Sequence, residues 1–233
     1  MPEAQPKKNS SYLQWFGEIL ITLGVILMLY VVWQLFVNDP VVSQSQQQQA
    51  KEYSIVDHKN PKEFVKMRSN LKQGAVFAKL YVPRFAKDYE RLIGQGTFQK
   101  ITLNVIGVGH YVSTEWPGKP GNFALAAHRT SHGAPFSKID ELRAGDKVWV
   151  ETNDNWFTYE YRQTAIVEPS DLSVLSDQPP GLANATKGKS YLTMTSCHPK
   201  WSNKQRIVVW FELLKTELKN GGTPVDLVNA QRQ

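Results

Sequence analysis

Cysteine is nearly absent from this chain, and Cys197 stands alone among 233 residues. A disulfide framework within one copy is thereby excluded, which leaves the thiol as buried packing, a link between copies or a reactive group. Also missing are any internal repeat, any Arg/Lys-rich run and any nucleic-acid motif. The net charge of +6 therefore fits a solvated surface attracted to an anionic envelope better than it fits nucleic-acid binding. No second apolar span follows residue 214, so the C-terminus is expected to be free of the membrane.

One long apolar run is present. Ile19–Val37 reads ILITLGVILMLYVVWQLFV, with Thr22 and Gln34 as its polar residues. As a helix it would span roughly 28 Å, close to the hydrocarbon thickness of a bilayer. Lys7 and Lys8 precede it, while Asn38, Asp39 and Pro40 follow. That asymmetry places the N-terminus in the cytoplasm and the remainder outside. Val41-Val42-Ser43 resembles a signal cleavage site, but the apolar stretch exceeds the about 7–15 residues of a signal core, which favours a retained anchor.

Beyond the anchor, the composition turns polar. Ser43–Ala50 (SQSQQQQA) reads as a stalk or linker, and Lys51–Asn70 carries modest helical spacing at Ile55, Phe64, Val65 and Met67. Short strands separated by Gly, Pro and Asn turns follow. The candidates are Val76–Val82, Ile101–Val105, Phe123–Ala127, Lys147–Thr152, Phe157–Thr164, Ala165–Glu168, Tyr191–Cys197 and Arg206–Leu214. One short helix is expected at Phe136–Arg143, from the spacing of Phe136, Ile139 and Leu142. Many strands with little helix imply a mostly β protein, built as a closed or nearly closed barrel.

Cys197 ends the run Tyr191-Leu-Thr-Met-Thr-Ser-Cys197, and Pro199 then breaks the strand. For a lone cysteine the buried thiol is the commoner case, but a strand end beside a loop is accessible. Arg206 opens the next strand after a loop. If the two strands form a hairpin, Cys197 and Arg206 share one end of the sheet, about 4.8 Å apart. A guanidinium there favours thiolate and stabilises an oxyanion, although a strand-end arginine more often grips a surface carboxylate.

A thiol also needs a base. His58 lies in the stalk; His198 adjoins Cys197 but should point to the opposite face; His110 reads as a packing or hydrogen-bonding residue. His128 is the best candidate, since it ends Phe123-Ala-Leu-Ala-Ala127 and begins a turn-rich loop that also holds His132. His128 and His132 with Cys197 and His198 offer zinc-type ligands, but Gly133 and Pro135 spoil the helical spacing such a pair needs. Neither metal nor cofactor is expected.

In order and spacing, several motifs together resemble the sortase family, most closely class E of Gram-positive actinobacteria. They are Gly109-His-Tyr111, Pro117-Gly-Lys-Pro-Gly-Asn122, Ala126-Ala-His-Arg-Thr130, Pro135-Phe136, Leu142-Arg-Ala-Gly-Asp146, Thr193-Met-Thr-Ser-Cys197 and Gln205-Arg206. The resemblance implies an eight-stranded sortase-type β-barrel with short helices, preceded by one transmembrane helix. It also implies a cysteine transpeptidase with Cys197 as nucleophile, His128 as acid/base partner and Arg206 as positioning or oxyanion-stabilising cation. Tyr111, Thr195 and Ser196 are its expected substrate-binding residues. The partners it implies are secreted proteins bearing a Leu-Ala-X-Thr-Gly or Leu-Pro-X-Thr-Gly signal, a peptidoglycan precursor amine and the membrane. Tyr111 is the residue the family links to alanine at the signal's second position. Two departures, Met194 and Ser196 in place of the usual Leu and Thr, retain apolar bulk and a hydroxyl. The implied organisation is a cytoplasmic N-terminus (1–18), a transmembrane anchor (19–37), an extracytoplasmic linker (38–73), the catalytic barrel (74–218) and a tail (219–233). The alternatives are a pilin-polymerising sortase, a surface cysteine endopeptidase and a non-catalytic wall-binding module.

Overall fold

The computed structural model describes residues 10–53 and 71–232. The helical spacing expected at Ile55, Phe64, Val65 and Met67, together with His58, lies outside those residues. The chain divides into two compact units, Met1–Val41 and Val42–Gln233. Helix α1 (Ser10–Trp33) passes into a π-helical turn at Gln34–Asn38 and then α2 (Asp39–Glu52). The apolar side chains of α1 are exposed, Leu20, Ile21 and Leu27 all by more than half. Such a helix is long and apolar enough to cross a membrane, and leaving it in water would forfeit the burial of every one of those side chains.

The second unit is built on eight strands: β1 (Val76–Tyr81), β2 (Glu90–Gln95), β3 (Val108–His110), β4 (Gly121–Ala127), β5 (Lys147–Glu151), β6 (Asn155–Val167), β7 (Ser190–His198) and β8 (Gln205–Leu218). They close into a barrel in the order β1-β2-β3-β4-β7-β8-β6-β5. The pairs β2/β3 and β4/β7 are parallel and the rest antiparallel. The expected mostly β barrel with one N-terminal apolar helix is therefore the observed fold.

Alternation along each strand fills the barrel. Leu192 and Met194 of β7 and Ile207, Val209 and Phe211 of β8 enter the main core with Phe123 and Leu125 of β4. On the other face of β8, Val208 and Trp210 pack with Tyr191, Val174 and Leu182. Burial on both faces explains why Arg206–Phe211 reads as a continuous apolar run after its arginine.

Several expected elements take other forms. Ile101–Val105 is no strand; Gln99–Leu103 winds into a π-helical turn, with the Thr102 carbonyl accepting from both Ile106 and Gly107. Its Ile-x-Leu-x-Val alternation mimics a strand, but Ile101 and Val105 are exposed. The expected helix at Phe136–Arg143 shrinks to a 3-10 turn at Ile139–Glu141, whose three-residue repeat buries Phe136, Ile139 and Leu142 equally well. The two strands expected across 157–168 form one strand, β6, whose two register shifts against β8 offset each other.

The polar run 43–50, expected as a stalk, is helical and packs on the barrel. Arg91 donates to Ser43 Oγ at 2.7 Å and Gln47 Oε1 at 3.1 Å, while Lys51 pairs with Asp88 at 2.9 Å. Glutamine is a good helix former, and its amide supplies the docking contacts here. The tail is also structured. Helix α3 (Val225–Arg232) buries Leu227 against Tyr81, Trp149 and Trp156.

Candidate active site

Sheet register assembles the site. Cys197 is the direct partner of Arg206 across β7/β8, so their side chains leave the same face. Ala126 partners Thr195 across the parallel pair β4/β7. His128 directly follows β4, and Cys197 lies two residues beyond Thr195 on β7. Leu192 and Met194 point into the core, so Thr195, Cys197 and their partners project outward. Cys197 is partly exposed. Cys197 and Arg206 thus share one outer face at one end of the barrel, and His128 follows the neighbouring strand β4 at that same end.

His128 is held on two sides. Its Nε2 lies 2.8 Å from Asn104 Oδ1, and its ring stacks on His132 at 4.9 Å with 27° between planes. With Asn104 oxygen as acceptor, Nε2 carries the proton and the neutral ring keeps its lone pair on Nδ1. Burial, and then the charge of His132, lowers the pKa of His128 below the ordinary histidine value. Among the described residues no group of three His, Cys, Asp or Glu side chains converges on a metal position.

Arg206 donates to the carbonyls of Asn203 at 2.9 Å and Gln205 at 3.0 Å, both within its own loop. This tethers the guanidinium at the mouth of the β7/β8 hairpin. Tyr111 and Thr195 meet at 3.0 Å. Thr195 gives its own proton to the Leu125 carbonyl, so Tyr111 donates to Thr195. Ser196 lies on the opposite face, buried, and donates to the Ala127 carbonyl at 2.7 Å, which ties β7 to the residue before His128. His110 is fully buried, with its ring nitrogens 2.8 Å from Gln95 Oε1 and 3.1 Å from the Glu115 carbonyl. That matches the packing role read for it. His198 falls on the face opposite Cys197.

Two neighbours carried no role in the sequence reading. Asn104 sits in the segment taken for a strand, and its spacing from His128 gives no local signal. Arg129 stood within the Ala-Ala-His-Arg-Thr motif. It is 3% exposed, pairs with Asp140 at 2.8 Å and donates to the Cys197 carbonyl at 3.2 Å. An arginine this buried must have such partners, but the sequence does not say which.

A closed eight-stranded barrel with a cysteine and an arginine paired across β7 and β8 is the architecture of the sortase class. Residues 80–214 match the sortase domain, and the chain belongs to the sortase family. Its kinship is with class E. It is 35% identical over 219 residues to Sortase SrtE1 of Streptomyces coelicolor, covering 91% of this chain and 60% of that protein. It is 33% identical over 216 residues to Sortase SrtE2 of the same organism, covering 88% of this chain and 83% of that one. The chain thus spans 60% of the length of the first relative. The crystal structure of sortase E1 from S. coelicolor with a tripeptide in the active site superposes with a TM-score of 0.62 at 34% identity, covering 66% of this chain and 97% of that one. Sortase E from Streptomyces avermitilis gives 0.61 at 32% identity, covering 67% and 99%.

Proposed function

We propose that this chain is a membrane-anchored class E-type sortase. It cleaves a Leu-Ala-X-Thr-Gly or Leu-Pro-X-Thr-Gly signal between Thr and Gly and joins the new carboxyl end to a peptidoglycan precursor amine. The observation that supports the reading is the register that pairs Cys197 with Arg206 and sets Thr195 beside Ala126, two residues before His128. The peptide in the active site of sortase E1 from S. coelicolor supports placing the signal along the corresponding surface here.

The Cys197 thiolate attacks the threonine carbonyl carbon, and Arg206 stabilises the oxyanion. The C–N bond breaks as His128 imidazolium gives its proton to the leaving glycine amine, which leaves a thioester on Cys197. The acceptor amine then attacks that carbonyl, the C–S bond breaks, and neutral His128 takes the amine's proton. Tyr111 and Thr195 shape the floor where the signal's second residue lies, and Ser196 positions the strand behind it. In this reading 19–37 is the anchor, 74–218 forms the catalytic barrel outside the cell, and the N-terminus is cytoplasmic.

The test is mass spectrometry of the full chain with a Leu-Ala-X-Thr-Gly peptide and an added amine. A thioester adduct on Cys197 that resolves into amine-joined product is expected, and both should vanish in Cys197→Ala. Wild-type turnover by a folded Cys197→Ala protein would sink the reading. Product that is always hydrolysed, whatever the amine, would make the chain an endopeptidase.

A further inference from the structure

Gln46 of α2 is 3% exposed, an unusual degree of burial for a glutamine in a run that resembles a linker. Its Nε2 donates to the His132 carbonyl at 3.1 Å and to the Val105 carbonyl at 3.4 Å. Its Oε1 is buried with no hydrogen-bond partner among the described residues. The amide sits where Gly107 and Gly133 leave room. A Cβ on either glycine would approach Gln46 Oε1 to 2.9 Å and 2.7 Å respectively, and both residues have positive φ.

These contacts fall on the two segments that hold His128. Val105 directly follows Asn104, the acceptor for His128 Nε2, and His132 is the ring stacked on His128. One amide from α2 therefore braces both of the imidazole's neighbours. The cost of burying an unpaired carbonyl oxygen is of the kind proteins retain where a fixed geometry is needed. Ser43, Gln47 and Lys51 hold the same helix against β2 and the Asp88 turn, so Gln46 is anchored on both sides along α2.

We propose that Gln46 is a positioning residue for His128, so that the helix following the apolar run completes the histidine side of the site. The inference deepens the transpeptidase reading and rests on it for its kinetic consequence alone. Loosening the brace frees the Asn104 and His132 segments, admits water to the imidazole and spoils its alignment with the leaving amine. Misplacement on the scale of about 1 Å costs up to about a hundredfold in rate, and losing one hydrogen bond corresponds to about tenfold or less.

The experiment uses the full chain in detergent with Gln46→Leu, which keeps bulk, and Gln46→Glu, which sets oxygen against the two carbonyls. Gln48→Ala, on the exposed side of the same helix, is the control. Four quantities are read: kcat and KM for the sorting peptide, the melting temperature, and the NMR titration of His128 without substrate. His132 is the titratable group stacked on that ring, and the neighbouring Arg129 guanidinium is held by Asp140 and the Cys197 carbonyl. Gln46→Leu is expected to lower kcat about five- to tenfold with KM within about twofold, and Gln46→Glu to lower it further. In both, the His128 midpoint should rise toward the ordinary value of about 6.5. An unchanged His128 titration in folded Gln46→Leu overturns the proposal, as does a loss of kcat matched by Gln48→Ala. Because the titration needs neither substrate nor Cys197, it decides the question even if the transpeptidase reading fails.

Discussion

Cys197 and Arg206 are direct register partners on β7 and β8, yet the Arg206 guanidinium donates to the carbonyls of Asn203 and Gln205. The cation is held at the thiol's level by these backbone contacts, with no carboxylate partner among the described residues. A guanidinium tethered through Nη1 keeps other N–H groups to offer an incoming carbonyl. Its rigid fork does two things at once, which a lysine ammonium cannot do.

Arg206→Ala is therefore expected to lower kcat/KM for the sorting peptide by about 10²–10³, the usual loss for an oxyanion donor. Arg206→Lys should recover only a small part of it, because the charge returns without the fork. Thioester accumulation followed by mass spectrometry separates the steps. If Arg206→Lys forms the adduct at the wild-type rate, point charge alone is the requirement.

The half-buried, stacked imidazole of His128 makes a pH prediction. Burial first, then the charge of His132, holds its folded pKa below the unfolded value of about 6.5. Between those two values the unfolded chain binds more protons at this site, so stability rises with pH through the window. The contribution is fully present above about 6.5 and is lost as pH falls through the lowered value. NMR titration of the full chain should give His128 a midpoint below the ordinary histidine value. His132→Gln should move it upward only in part, since burial remains. A midpoint at or above about 6.5 in the wild type would contradict this account of the site.

Much of this was legible in the sequence, for identifiable reasons. β4, β5, β7 and β8 carry apolar runs bounded by turn residues, and all but β5 bear or directly precede the three catalytic candidates. β3, three residues including Gly109, has too little side chain to announce itself. In β2 the charged Glu90 and Arg91 disguise a strand, because Lys79, Ser43 and Gln47 satisfy them from distant segments. Composition made the glutamine-rich run look like a stalk, whereas its burial depends on two glycines more than fifty residues away. Asn104 and Arg129 escaped for the same reason: a side chain's partner across the fold leaves no local periodicity.

Leu227 illustrates another such case, since nothing in residues 219–233 marks α3 as part of the barrel's packing. Leu227 is fully buried against Tyr81, Trp149 and Trp156. Leu227→Ala should cost about 2–3 kcal/mol, at the low end for leucine because a peripheral helix can settle into part of the space. For a domain of this size that is about 4–12 °C in melting temperature. Turnover per folded molecule should be unchanged, because none of the packing partners belongs to the site. A melting temperature that does not move would show that α3 is dispensable to the fold.

Arg129 links the histidine loop to the nucleophile's own peptide. Its guanidinium is buried and reaches the Cys197 carbonyl at 3.2 Å, while its partner Asp140 is half-exposed. The two sides of this contact are thus unequal. Asp140→Asn keeps a hydrogen-bond acceptor but leaves the buried guanidinium without its carboxylate, and should cost about 1–3 kcal/mol. Arg129→Met removes the cation that satisfies a carbonyl beside the thiol and should cost about 1–3 kcal/mol. If Arg129 only stabilises the fold, the rate of Cys197 alkylation by iodoacetamide, measured well below the melting temperature, will match wild type. If it sets the Cys197 peptide, that rate and its pH profile will shift in Arg129→Met and stay unchanged in Asp140→Asn. The second outcome is expected, because Arg129 itself reaches the Cys197 carbonyl, whereas Asp140 meets Arg129 from a half-exposed position.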